Sequence, residues 1–247
     1  MSAAPQNFGA GFGIAGVQMS VSAFDSNVER MGNYLRHIRT RFPWVRMVLF
    51  SELAALGPQH STAEPLPGPT EARLCALARE TGLWLLPGSL FEQVDGPNGT
   101  RVYNTLPVIN PAGEVIARFR KLFPFRPYER DVEGGTEFCV FDVPGAGRFG
   151  VSICYDMWFP ETTRTLAAMG AEVILHPTMT DTIDRDVELA IVRASAVQNQ
   201  VYFFDVNGVG DGGVGRSIVC DPSGYVLHQA EGGAEIIAID VDFARVR

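Results

Sequence analysis

Short apolar runs recur along this chain, and each is stopped by a glycine, a proline or a single polar residue. Runs of this length bounded by turn residues read as strands. They fall at 11–19, 47–50, 83–91, 102–109, 114–119, 138–143, 147–153, 172–176, 201–207, 216–220, 225–228 and 235–240. Four longer spans between them have helical spacing. The first is capped by Asp25 or Ser26 and runs to about Phe42, with Val28, Met31, Leu35 and Ile38 on one side. The second runs from Thr70 to Glu80 and is closed by Gly82; the third covers 160–169. The fourth, Asp184 to Gln200, gathers Val187, Ala190, Ile191, Ala194 and Val197 on one apolar face. Strands alternating with helices predict an α/β fold. Turns at Pro111-Ala112-Gly113, Pro144-Gly145 and Asp221-Pro222-Ser223-Gly224 add hairpins, so the sheets are expected to be mixed rather than purely parallel. Four prolines without periodicity make 57–69 a loop. No linker or low-complexity stretch divides the chain, so 1–247 reads as one domain with a flexible tail at 1–9.

Several function classes fall away on composition. The formal net charge is −8, and the tightest basic clusters, Arg36 to Arg41 and Arg118 to Lys121, make no basic patch, so no nucleic-acid partner is expected. The four cysteines and four histidines are scattered, with no CxxC and no HExxH. No metal site and no disulfide framework is therefore expected, and a reducing, cytoplasmic setting suits the thiols. No apolar run approaches the ~20 residues of a membrane-spanning helix. The first residues carry neither a basic n-region nor an apolar h-region, so no secretory signal is expected.

Three polar residues each end an apolar strand: Glu52, Lys121 and Cys154. Their chemistry is complementary. A thiolate attacks an acyl carbon, but a free thiol is mostly protonated at neutral pH. A carboxylate can take its proton and later return it to a leaving amine. An ammonium can hold the oxyanion that forms, and the backbone N–H of Tyr155, at the turn after the cysteine, can add a second donor. Each residue also has an ordinary reading: a capping or surface carboxylate, a solvated lysine and a small buried core thiol. Spacing alone does not bring the three together.

The segments Leu-Phe-Ser-Glu-Leu-Ala (49–54), Arg-Phe-Arg-Lys-Leu (118–122) and Gly-Val-Ser-Ile-Cys-Tyr-Asp-Met-Trp-Phe-Pro-Glu (150–161) resemble, in order, the three signature blocks of the nitrilase, or carbon–nitrogen hydrolase, superfamily. Tyr103-Asn104-Thr105, Asp221-Pro222-Ser223-Gly224 and the helix from Val192 to Gln200 resemble further family features. The resemblance implies an α-β-β-α sandwich that pairs into a homodimer or higher homo-oligomer, and it implies no cofactor. It makes Glu52 the general base and acid, Lys121 the oxyanion stabiliser and Cys154 the nucleophile. Glu129 matches a second glutamate that positions substrate; its ordinary reading is a loop carboxylate paired with Arg126 or Arg130. The implied activity is hydrolysis of a small or medium carboxamide to carboxylate and ammonia.

Other branches stay open: nitrile hydrolysis, N-carbamoyl hydrolysis, ω-amidase activity, or a catalytically silent scaffold or binding subunit. Tyr155 stands where nitrilases have Trp. Trp158 stands where the ω-amidase branch carries Arg. The loop 121–129 is closer to the aliphatic amidase and formamidase side. On that side Phe125, Tyr155 and Trp158 line an acyl pocket, with Trp158 equally readable as core.

Overall fold

The computed structural model describes residues 11–97 and 99–247. The tail expected at 1–9 lies outside the described residues. In chain order the elements are β1 (Phe12–Gln18), β2 (Ser20–Val21), α1 (Val28–Arg41), β3 (Val45–Phe50), α2 (Pro69–Thr81), β4 (Trp84–Leu86), β5 (Leu90–Gly96), β6 (Gly99–Ile109), β7 (Val115–Arg120), β8 (Val132–Glu133), β9 (Cys139–Val143), β10 (Gly147–Val151), α3 (Pro160–Ala168), β11 (Val173–Thr178), α4 (Arg185–Asn199), β12 (Tyr202–Asn207), β13 (Val209–Gly210), β14 (Ile218–Cys220), β15 (Val226–Gln229) and β16 (Glu235–Val241).

Two mixed sheets carry the fold. One runs β16-β1-β3-β4-β6-β5, with β7 and β8 also paired to β6; the other runs β15-β14-β12-β11-β10-β9. In the first sheet β1, β3 and β4 are parallel, while β16 and β6 join antiparallel. In the second, β10, β11 and β12 are parallel and the flanking hairpins antiparallel.

Strand alternation decides which side chains go where. Ile14, Met47, Leu49 and Leu106 of the first sheet pack against Phe149, Val151, Leu175 and Phe204 of the second in one core. The alternate residues Ala15, Val17, Val48 and Phe50 turn outward onto Met31, Leu35, Ile38, Leu74 and Ala78 of α1 and α2. On the far side Ile174, Phe203 and Ile218 meet Leu166 of α3 and Leu189, Val192 and Ala196 of α4. The layers are therefore α-β-β-α, the sandwich that the sequence resemblance implies.

Three local expectations are corrected. The first helix begins after Asn27, not Asp25 or Ser26, and Asn27 makes no side-chain cap. Its amide instead closes the preceding loop, accepting from Ser22 N–H and donating to Ser22 C=O, each at 2.9 Å. The single strand expected over 83–91 is two, because Pro87-Gly88 breaks it and Gly88 has φ +79°. The helix expected over 160–169 is present as α3 from Pro160, and a 3₁₀ turn, Cys154–Trp158, fills the stretch between it and the strand end. In α4 the apolar face read from spacing points outward: Val187 and Val197 are 47% and 46% exposed. The buried face carries Arg185, Glu188, Leu189, Val192, Ser195 and Ala196. This helix is apolar on two sides, and Arg185 and Glu188 go inside because they pair with each other at 3.1 Å.

Candidate active site

The three strand ends converge. Two parallel-sheet strands, β3 and β10, end just before Glu52 and Cys154, and β7 ends just before Lys121. Each of the first two turns is sharp. Leu53 and Cys154 both sit in the left-handed region, at φ +53° and +47°. A non-glycine residue pays on the order of 1–3 kcal/mol there, so the surrounding contacts must hold it. At Glu52 the chain is pressed by Gly88, where an added Cβ would lie 1.8 Å from the Ser51 carbonyl oxygen. Only glycine lets the two segments run this close.

At Cys154 the clamp is Asp156. Its carboxylate accepts from the N–H of Ile153 and from the N–H of Phe123, both at 2.9 Å. One side chain thus ties the cysteine turn to the loop that follows Lys121. Burial pushes the Asp156 carboxyl up to about 7 against these two donors. In the same turn the first intrahelical acceptor, Ile153 C=O, is taken by Asp156 N–H at 3.0 Å. The N–H of Tyr155 precedes that bond and belongs to the unsatisfied end of the turn.

The charged groups form one buried cluster. Lys121 Nζ donates to Glu52 Oε1 at 2.8 Å and to Glu129 Oε2 at 2.7 Å. Asn104 Nδ2 donates to Glu52 Oε1 and to Glu129 Oε1, both at 2.8 Å. Phe125 N–H adds a bond to Glu129 Oε2 at 2.6 Å. Glu129 is therefore not a loop carboxylate paired with a neighbouring arginine; Arg126 donates to backbone carbonyls of 129, 130 and 132 instead. Both donors to Glu52 share one of its oxygens, and the other takes part in neither bond.

The electrostatics follow from burial. Burial raises the Glu52 carboxyl above its ordinary value, against the lowering effect of Lys121. Burial would lower Lys121, but Glu52, Cys154 and Glu129 outweigh it and hold the ammonium well above its usual value. Burial and then the Glu52 charge push the Cys154 thiol well up, against Lys121. The resting sulfur is thus a thiol that needs a base. His176 makes none of the hydrogen bonds to Glu52, Lys121 or Glu129. It hydrogen-bonds Ser152 Oγ through Nδ1 at 2.7 Å, and burial takes it down to about 3, so the ring is neutral.

Glu52, Lys121, Glu129 and Cys154 line one cavity of about 650 Å³. Phe125, Tyr155 and Trp158 line it too, with the Phe125 and Tyr155 rings 5.1 Å apart and Tyr155 and Trp158 6.0 Å apart. All seven residues singled out in the sequence therefore meet at one place. Asn104, Tyr128, His60 and a set of aspartates do not announce themselves in the sequence. Asn104 stands inside a strand, and only the Tyr103-Asn104-Thr105 resemblance marks it. Among the described residues no cluster of His, Cys, Asp and Glu is arranged to hold a metal ion. Among the described residues no helix is long and apolar enough to cross a membrane.

A thiol, a carboxylate with one oxygen to spare and a fixed ammonium around one cavity are groups of the kind that nucleophilic acyl chemistry uses. Known proteins agree with that class. The carbon–nitrogen hydrolase family model matches residues 13–247. The chain belongs to the carbon–nitrogen hydrolase family. It is 29% identical to an omega-amidase NIT2 from Pongo abelii, over 96% of this chain and 90% of that one. It is 30% identical to a formamidase from Bacillus cereus, over 88% of this chain and 68% of that one. Among solved structures, Saccharomyces cerevisiae Nit3, of the nitrilase superfamily, superposes with a TM-score of 0.87 at 26% identity, covering 99% of this chain and 94% of that one.

Proposed function

We propose that this chain is an amidohydrolase that cleaves the C–N bond of a small or medium carboxamide through a thioester on Cys154. The observation that carries this reading is the hydrogen-bond pattern at Glu52. Lys121 and Asn104 both occupy Oε1, which leaves the second oxygen of a burial-raised carboxylate for proton transfer. The curated relatives named omega-amidase and formamidase support the amide class.

In the proposed cycle Glu52 takes the thiol proton and the thiolate attacks the amide carbon. Lys121 has three donors, two of which hold Glu52 and Glu129; the third, with the Tyr155 N–H, receives the oxyanion. Collapse breaks the C–N bond, and Glu52 gives its proton to the departing ammonia. Water, deprotonated by the same carboxylate, attacks the thioester and releases the acid and the thiol. Glu129 is a positioning residue that fixes Lys121 and shares Asn104 with Glu52. Phe125, Tyr155 and Trp158 line the space for the acyl group. Intact-mass spectrometry with amides, nitriles and carbamoyl compounds, run alongside ammonia release, tests this. An acyl adduct on wild type with an amide, absent in Cys154→Ala, is the expected result. Ammonia release from no amide overturns the reading.

We further propose a homodimer in which a second copy covers the outer face of α4. Ile183, Val187 and Val197 are 91%, 47% and 46% exposed on or beside that helix, and Ala190 and Ala194 share the exposed face. Unpaired apolar surface of this kind marks an association site. Val187→Asp with Val197→Asp is expected to shift the protein from dimer to monomer in sedimentation velocity. A monomeric wild type at micromolar concentration sinks the proposal. The four unpaired cysteines fit a cytoplasmic location, which cell fractionation would check.

A further inference from the structure

The cavity is charged in one sense. Besides Glu52 and Glu129 it is lined by Asp181, Asp184, Glu188 and Asp211, against a single lining cation among the described residues, Lys121. Lys121 is already engaged by Glu52 and Glu129. Glu188 is matched from behind by Arg185, which also pairs with Asp205 at 2.7 Å. The three aspartates have no such partner. Asp184 accepts from the Thr182 hydroxyl at 2.8 Å, and Asp211 from the Ala23 N–H at 2.9 Å, each through one oxygen. Asp181 and Asp211 are exposed while Cys154 and Glu52 are buried, so the aspartates line the outer part of the cavity. The same cavity presents the rings of Phe125, Tyr128 and Trp158. Carboxylates together with aromatic faces are the chemistry that recognises an organic cation, through charge and through the ring quadrupole.

We propose that the substrate carries a positively charged group, such as an alkylammonium, on the part of the molecule beyond the reacting amide. This rests on the amidase reading above and names its substrate class. A distal carboxylate is disfavoured: among the described residues the lining offers it no arginine, and the charged groups of its outer part are the aspartates. The acyl carbon sits over Cys154 with the chain running outward past the aromatic rings, and the cationic end reaches Asp181, Asp184 and Asp211.

Ammonia release from three primary amides of matched length tests this: pentanamide, its 5-amino derivative and glutaramate, the carboxylate counterpart. The expected order in kcat/KM is amine, then neutral, then carboxylate, with at least about tenfold between the ends at low salt. Raising ionic strength narrows the gap, because the outer aspartates are screened. Asp181→Asn with Asp211→Asn raises KM for the amine by about tenfold and improves the carboxylate. A carboxylate that is cleaved as well as the amine overturns the proposal while the amidase reading stands. An unpreferred amine beside a well-cleaved neutral amide does the same. No ammonia from any of the three, the neutral amide included, overturns the amidase reading and this proposal with it.

Discussion

Cys154→Ala is expected to lower amide turnover by roughly 10⁴-fold or more while leaving the fold and substrate binding in place. The size follows from what remains. Without sulfur the only nucleophile is water, and the cavity offers it Glu52 as base but no covalent intermediate. The oxyanion donors, Lys121 and the Tyr155 N–H, still act, so turnover falls to the residue that binding and electrostatics supply. The fold is expected to survive because Cys154 is small and its left-handed backbone is held by contacts outside its own side chain, chiefly the two N–H bonds to Asp156. Cys154→Ser is expected to be almost as inactive, since a raised carboxylate is still far too weak a base for an alcohol. The measurements are ammonia release under single-turnover conditions and substrate affinity by calorimetry. A Cys154→Ala protein that binds amide and turns it over within tenfold of wild type removes the nucleophile from the proposed scheme.

The strand ends were the legible part of this site. Glu52, Lys121 and Cys154 each stop an apolar run, which marked them as candidates, and the family resemblance supplied what spacing could not, that the three share one pocket. The layered fold was legible because alternation of strand, turn and helix survives small errors of boundary. Asn104 was not legible as a site residue. It lies in the middle of β6, and its bridging amide acquires meaning only because the fold brings Glu52, after β3, and Glu129, between β7 and β8, within its reach. The face of α4 was misleading because the helix is apolar on both sides. Periodicity finds a stripe but does not say which of two stripes meets the sheet, and the pairing of Arg185 with Glu188 and Asp205 decided it. The acidic outer cavity was hidden by distance along the chain. Asp181 and Asp184 precede α4, Asp211 follows β13, and nothing local connects them.

Lys121→Met carries the second large effect, and it acts in two ways. It removes one oxyanion donor, which by itself costs roughly 10²–10³ in kcat. It also leaves Glu52 and Glu129 buried together without their shared cation. Two carboxylates bridged only by the Asn104 amide cannot both remain ionised in a dry site, so one takes up a proton. Losing half of a buried ion pair costs about 3–5 kcal/mol when the remaining charge is trapped; protonation relieves part of that. Glu52 is raised by burial and lowered by Lys121 in the wild type, so removing Lys121 moves it further up. A general base works only when ionised, and the acid limb of the pH–rate profile therefore shifts to higher pH in the variant. Its residual activity rises across a range where the wild type is already flat, and its thermal stability falls most at alkaline pH, where both carboxylates are forced to ionise. Adding Glu129→Gln to Lys121→Met is expected to recover stability but not kcat, because it removes the repulsion without restoring the oxyanion donor. Thermal unfolding and kcat measured from pH 5 to 9 on both variants separate the two roles. An acid limb that stays where the wild type has it, or a kcat within tenfold of wild type, would show that Lys121 neither sets the ionisation of Glu52 nor holds the oxyanion.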